Sequence, residues 1–292
     1  MSKTVLRQLE QVVRSSPTLE GAGVRLDRVF GYNEVPLFDP FLMLDDFGSD
    51  DPDDYMAGFP WHPHRGIETV TYMLNGEVEH GDSMGNSGVI GSGDIQWMTA
   101  GSGIIHQEMP RRAQGRMRGF QLWVNLPKHD KLMTPRYRDV KRSTIPEVQP
   151  APGVRVKVVS GSVAGVRGPV QDIVVAPEYL DISIRPGGEF RHAVPRDHRV
   201  FAYVVDGSGR FEDGGNGIGP GYAVLFGAGD EVTVAAGDSG VRLLLVSGRP
   251  LNEPVAWGGP IVMNTQDELD RAFDEYRQGT FIKHGRDPEA GN

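Results

Sequence analysis

Between Gly58 and Pro110 the chain has no room for a long helix, because its apolar runs are cut at short intervals by turn-forming residues. TVTYML and VIGSGDIQWM are separated by NGEVEHGDSMGNSG, so Gly, Asn, Asp and Ser break the pattern every few positions. This is the spacing of short antiparallel strands, and Asn75-Gly76 predicts a hairpin turn. The stretch opens with His62-Pro63-His64 and closes with His106-Gln107-Glu108. In a β-strand, residues i and i+2 point to the same face. His62 and His64 therefore share one face, His106 and Glu108 another, and a small barrel could bring the two together. Pro63 has no N–H to give to a ladder and suits a strand edge or a bulge at the rim.

Three imidazoles and one carboxylate suit iron, manganese, cobalt, nickel, copper or zinc, and affinity order alone does not choose among them. The chain has no cysteine, so it offers neither thiolate ligands nor disulfides. Four protein ligands on an octahedral ion leave two positions for substrate and for water or dioxygen, whereas a closed tetrahedral zinc leaves none. Glu68 lies four residues beyond His64 and keeps its parity on a regular strand, which makes it a candidate to hold an imidazole N–H. His80 and Asp82 fall in a turn-rich stretch and read as an exposed loop pair. Asp50, Asp51, Asp53 and Asp54 do not have the spacing of a calcium loop and read as a solvated acidic loop.

The rest of the chain is punctuated in the same way, and its 39 Gly and 21 Pro fit an all-β protein. KHDKLMTPRYRDVKRSTIPEVQPAPG is charged and proline-rich and marks a boundary. It suggests a metal-binding domain over residues 1–140 and a second domain over 141–292. The second half repeats strands and Gly-rich turns at intervals of roughly ten residues. It has no His-x-His or His-x-Glu pair, since His192 and His198 stand alone, and is expected to be metal-free. The tail changes period. Thr265 and Glu268 form the pattern of a capping box, Leu269, Ala272, Phe273 and Tyr276 supply a helical stripe, and Gly279 can end it. The net charge of −9 argues against a protein that binds nucleic acid by neutralising phosphates. No apolar run reaches the ~20 residues of a membrane helix. The N-terminal stretch lacks the apolar core of a secretory signal, so a cytoplasmic location is the expectation.

The His-x-His-x3-Glu pattern at 62–68, followed by a strand anchored at Gly93 and then His106, resembles the two cupin motifs. DPFLMLDDF (39–47), FPWHPHRGIETVTYML (59–74), GDIQWMTAGSGIIHQEMP (93–110) and FQLWVNLP (120–127) closely resemble the pirin family. The match covers most of residues 20–130, and the C-terminal half is similar to the pirin C-terminal domain more loosely. The resemblance implies a bicupin, two antiparallel β-barrels here followed by a short helix, with Fe(II) held by His62, His64, His106 and Glu108. In several members it implies quercetin 2,3-dioxygenase activity, that is, opening of a flavonol ring by dioxygen with release of carbon monoxide. Glu108 is then the expected base for the substrate hydroxyl, with Phe41, Met43, Phe47 and Met98 as an apolar wall. Other members look like redox-dependent regulators that bind a protein partner. An open apolar pocket above the ion would favour the enzyme, and a blocked one the regulator.

Overall fold

The computed structural model of the chain describes residues 4–113 and 115–284, nearly all of them in strands or short turns. They form two compact units that interleave along the sequence. One gathers the chain up to Ser16 with Asn33–Pro40 and Ser143–Pro250; the other gathers Pro17–Tyr32, Phe41–Arg142 and the chain from Leu251 on.

The first unit is built on an eight-stranded antiparallel sheet whose longest members are Arg199–Arg210 and Glu231–Gly248. Alternation dictates its inner face. In Val154–Ser160, Val154, Val156 and Val158 point inward while Arg155 faces water, as a half-buried strand requires. These valines join Leu180, Ile182, Phe190, Phe226 and Leu243 in one core. His192 bonds Glu178 (2.8 Å) and His198 bonds Ser247 (3.3 Å).

The second unit is a sandwich of a seven-stranded and a four-stranded sheet. The larger runs in the order Arg136–Val140, Ile95–Thr99, Ile67–Asn75, Met117–Asn125, Phe41–Ser49, Val24–Phe30 and Ser16–Glu20. The smaller runs Phe59–His64, Ile104–Pro110, Val78–Asp82 and Ser87–Ile90. Asn75-Gly76 is not the expected hairpin. Ile67–Asn75 and Val78–Asp82 belong to different sheets, and the Gly76 N–H donates to Ser92 Oγ (3.1 Å). The turn carries the chain across the sandwich.

A single cut at 140/141 does not describe this packing, because both ends cross it. Leu9–Arg14 pairs with Tyr222–Phe226 in the first unit. The C-terminal segment packs in the second: Val262 N–H bonds the Arg65 carbonyl (3.1 Å), and Leu269 and Ala272 of the helix Gln266–Arg277 bury against Ile261, Met263 and Phe281. The helix starts as its sequence requires. Thr265 Oγ1 accepts from the Glu268 N–H (3.3 Å) and Glu268 Oε2 accepts from the Thr265 N–H (3.0 Å), a cap that contributes about 1 kcal/mol. Among the described residues no helix is long and apolar enough to cross a membrane.

Candidate metal centre

Phe59–His64 and Ile104–Pro110 are antiparallel neighbours, with His106 opposite His62 and Ile104 opposite His64. Directly opposed residues share a face, so the pairing brings the three histidines into one cluster. Their ring centroids are 4.4–5.0 Å apart, and their ligand atoms all lie within 4.8 Å of one another. His64 and His106 are buried and His62 is half-buried.

The hydrogen bonds fix the tautomers. His62 Nδ1 lies 2.8 Å from the Pro60 carbonyl and His64 Nδ1 3.0 Å from that of Pro260. A carbonyl only accepts, so both Nδ1 atoms carry the proton. That leaves a lone pair on each Nε2, and these two atoms face each other at 3.1 Å. Two acceptors at that distance need a cation or a shared proton between them. His106 Nε2 is also buried without a hydrogen-bond partner among the described residues. Burial lowers the pKa of His64 to about 3, helped by the neighbouring His62, and pushes that of His106 well below the ordinary imidazole range. Neutral rings with free, converging Nε2 lone pairs are the form that binds a divalent metal. The residues fit such an ion.

Glu108 stands in the wall of the same cavity, past a register shift that separates it from His106, and is not part of the close histidine cluster. Burial raises its pKa, and Thr71 Oγ1 lies 3.0 Å from its Oε1. Thr71 also lies 2.6 Å from Gln121 Oε1. These residues belong to a polar row crossing the large sheet in register, Arg28 opposite Asp45, Asp45 opposite Gln121, Gln121 opposite Thr71 and Thr71 opposite Gln96. Arg28 grips Asp45 through two bonds of 2.9 Å.

Glu68 does not reach an imidazole. It accepts from Thr99 Oγ1 (2.6 Å) and its other oxygen has no hydrogen-bond partner among the described residues. The parity expected from His64 is lost at Arg65-Gly66, where Gly66 turns at φ +77° and a Cβ would meet the Val262 carbonyl at 2.0 Å. The second partner of His64 is instead the Pro260 carbonyl, 196 residues away. His80 and Asp82 are not an exposed loop pair, since both are buried on the strand Val78–Asp82. His80 lies opposite Glu108 and bonds the Tyr137 hydroxyl (2.6 Å), while Asp82 caps the following turn through the Met84 and Asn86 N–H groups (2.9 Å each).

Above the histidines opens a cavity of about 730 Å³, within the range of roughly 300–1,000 Å³ typical of small-molecule sites. Met43 and Phe47 line it, with Leu26, Phe59, Trp123 and Trp257. Phe41 and Met98 are buried but lie off the cavity. Phe41 sits beyond the register shift at Trp123/Val124, and Met98 opposes Thr69, one same-face step along from the Thr71–Gln96 pair. Trp123 was present in the FQLWVNLP motif. Nothing near the histidines in sequence points to Trp257 or Pro260.

The Pirin family model matches residues 23–124 and the Pirin C-terminal cupin domain model residues 179–282. A pirin-like protein of Caulobacter vibrioides is 46% identical over 277 residues, covering 94% of this chain and 99% of its own length. The crystal structure of a quercetin 2,3-dioxygenase from Acinetobacter baumannii matches with a TM-score of 0.87 at 30% identity, over 96% of this chain and 99% of that one. A bacterial pirin of Escherichia coli, crystallised in complex with nickel(II), shares the fold at a TM-score of 0.64 and 22% identity, over 82% and 98% of the two chains. The chain belongs to the pirin family, with two cupin domains and its histidine cluster in the N-terminal one.

Proposed function

We propose that the protein is an iron-dependent dioxygenase that opens the central ring of flavonol-type substrates. The observation that carries this reading is the buried histidine cluster facing an open, aromatic-lined cavity with a carboxylate in its wall. His62, His64 and His106 hold the ion, with Glu108 as a fourth donor that can swing away. When bound, the ion supplies Lewis acidity toward a substrate hydroxyl and one-electron chemistry with dioxygen. The likeness to the A. baumannii quercetin 2,3-dioxygenase supports the substrate class. The first unit, which among the described residues has no equivalent pair of ligand pairs, binds no metal.

The chain's own residues do three things. Glu108 takes the proton of the substrate hydroxyl at a carboxylate oxygen, and burial raises its basicity for the task. Thr71 and Gln121 hold that carboxylate in place. Met43, Phe47, Trp123 and Trp257 accept flat aromatic rings and keep water from the reacting carbon. A cavity of this size supports the enzyme over a regulator that binds a protein partner.

The test is oxygen uptake with carbon monoxide release from quercetin, using protein reconstituted anaerobically with Fe(II) and the His106→Ala variant as control. Coupled uptake and release by the unsubstituted protein alone is the expected result. No turnover with iron, manganese, nickel or copper, each demonstrably bound, would remove the flavonol reading and favour the regulator.

A further inference from the structure

Four aromatic rings run from the histidine cluster to the surface of the second unit. The His64 ring lies 5.0 Å from Trp123, Trp123 5.8 Å from Trp257, and Trp257 5.6 Å from Tyr32, centroid to centroid. Trp123 and Trp257 are half-buried, and Tyr32 is 66% exposed. The rings come from four separate parts of the chain. Apolar walls for a flat ligand could be made from Phe or Leu, but this row uses the two side chains that give up an electron most readily. Rings this close exchange an electron vacancy far faster than saturated chain of equal length.

The polar ends of the rings suit such transfer. An oxidised indole becomes a strong acid and traps the vacancy if a base takes its N–H proton. Trp123 Nε1 is buried without a hydrogen-bond partner among the described residues. Trp257 Nε1 donates to the Gly259 carbonyl (2.7 Å), which is too weak a base to keep the proton. Neither tryptophan holds the vacancy. Tyr32, exposed to water, can release its phenolic proton, so the vacancy leaves the chain there.

We propose that Trp123, Trp257 and Tyr32 form a discharge route that protects the metal-binding histidines from oxidation. Iron held by His62, His64 and His106 would give one electron to hydrogen peroxide, becoming ferric and leaving hydroxide and a strong one-electron oxidant. Trp123 reduces that oxidant by one electron, Trp257 reduces the Trp123 cation, and Tyr32 reduces the Trp257 cation and loses its phenolic proton to water. A soluble donor of one electron and one proton, such as a thiol or ascorbate, restores Tyr32. Without the route the oxidant attacks the nearest rings, His62, His64 and His106. The proposal rests on these histidines holding iron and is independent of flavonol turnover.

The experiment treats Fe(II)-loaded protein of verified metal content with one equivalent of hydrogen peroxide, followed by freeze-quench electron paramagnetic resonance and peptide mass spectrometry. The expected result is a tyrosyl radical that disappears in Tyr32→Phe and in the metal-free protein. In Trp257→Phe, which keeps the packing but is harder to oxidise, the radical falls severalfold and oxidised histidine rises severalfold. An undiminished radical, or unchanged histidine oxidation, in iron-loaded Trp257→Phe would overturn the route, as would its absence from the iron-loaded wild type. Failure to bind iron at all would instead overturn the metal assignment beneath it.

Discussion

Thr71→Val isolates the hydrogen bond that holds Glu108. Valine keeps the shape and the β-branch of threonine and removes only the hydroxyl. In the structure that hydroxyl lies between Glu108 Oε1 at 3.0 Å and Gln121 Oε1 at 2.6 Å, with Thr71 and Glu108 both buried. One hydroxyl proton cannot satisfy two oxygen acceptors. The Gln121 amide therefore turns its nitrogen toward Thr71 Oγ1, and the Thr71 hydroxyl donates to the Glu108 carboxylate. The variant leaves that buried carboxylate without this partner. A hydrogen bond to a charged group contributes about 1.5–3 kcal/mol, which corresponds to about 10- to 150-fold in rate if it acts in the transition state. Steady-state kinetics with quercetin, alongside iron content, should show kcat falling by that amount while KM and iron stay near wild type. Thr71→Ser should recover most of the loss. A Thr71→Val protein with full iron and wild-type kcat would refute the positioning role.

Two further outcomes follow from the same unit. Arg65 is buried and ion-paired with Glu275 (2.8 Å), and it also donates to the Ser102 and Phe281 carbonyls (2.7 and 2.9 Å). Glu275→Gln should lower the unfolding free energy by about 1.5–3 kcal/mol and weaken metal affinity through the adjacent His64; an unchanged urea midpoint would count against this latch. In the metal-free protein, His64 titrates at about 3 when folded against about 6.5 when unfolded. The unfolded chain therefore binds the proton first as pH falls, and stability present above about pH 6.5 is lost toward pH 3 at about 1.4 kcal/mol per unit. Subtracting the pH–stability curve of His64→Gln removes the carboxylate titrations common to both proteins. Equal slopes would show that His64 does not contribute.

The sequence carried what depends on local period and residue chemistry. His-x-His and His-x-Glu in strand-length segments set the faces these side chains occupy, because alternation along a strand needs no knowledge of its partner. The same holds for the capping box from Thr265 to Glu268, which is complete within four residues. What the sequence left open was pairing across long separations. Asn75-Gly76 has hairpin chemistry, yet its strands join different sheets, Ile67–Asn75 between Ile95–Thr99 and Met117–Asn125 and Val78–Asp82 between Ile104–Pro110 and Ser87–Ile90. Glu68 has the parity of His64 on paper, but the turn at Gly66, held against the Val262 carbonyl, starts a new strand and resets it. The carbonyl that orients His64 and the indole that extends its aromatic contacts come from Pro260 and Trp257, on a segment whose docking is decided by burial of Leu269, Ala272 and Phe281. Period fixes which way a side chain points, whereas the pairing of sheets and the burial of distant segments fix what it meets there.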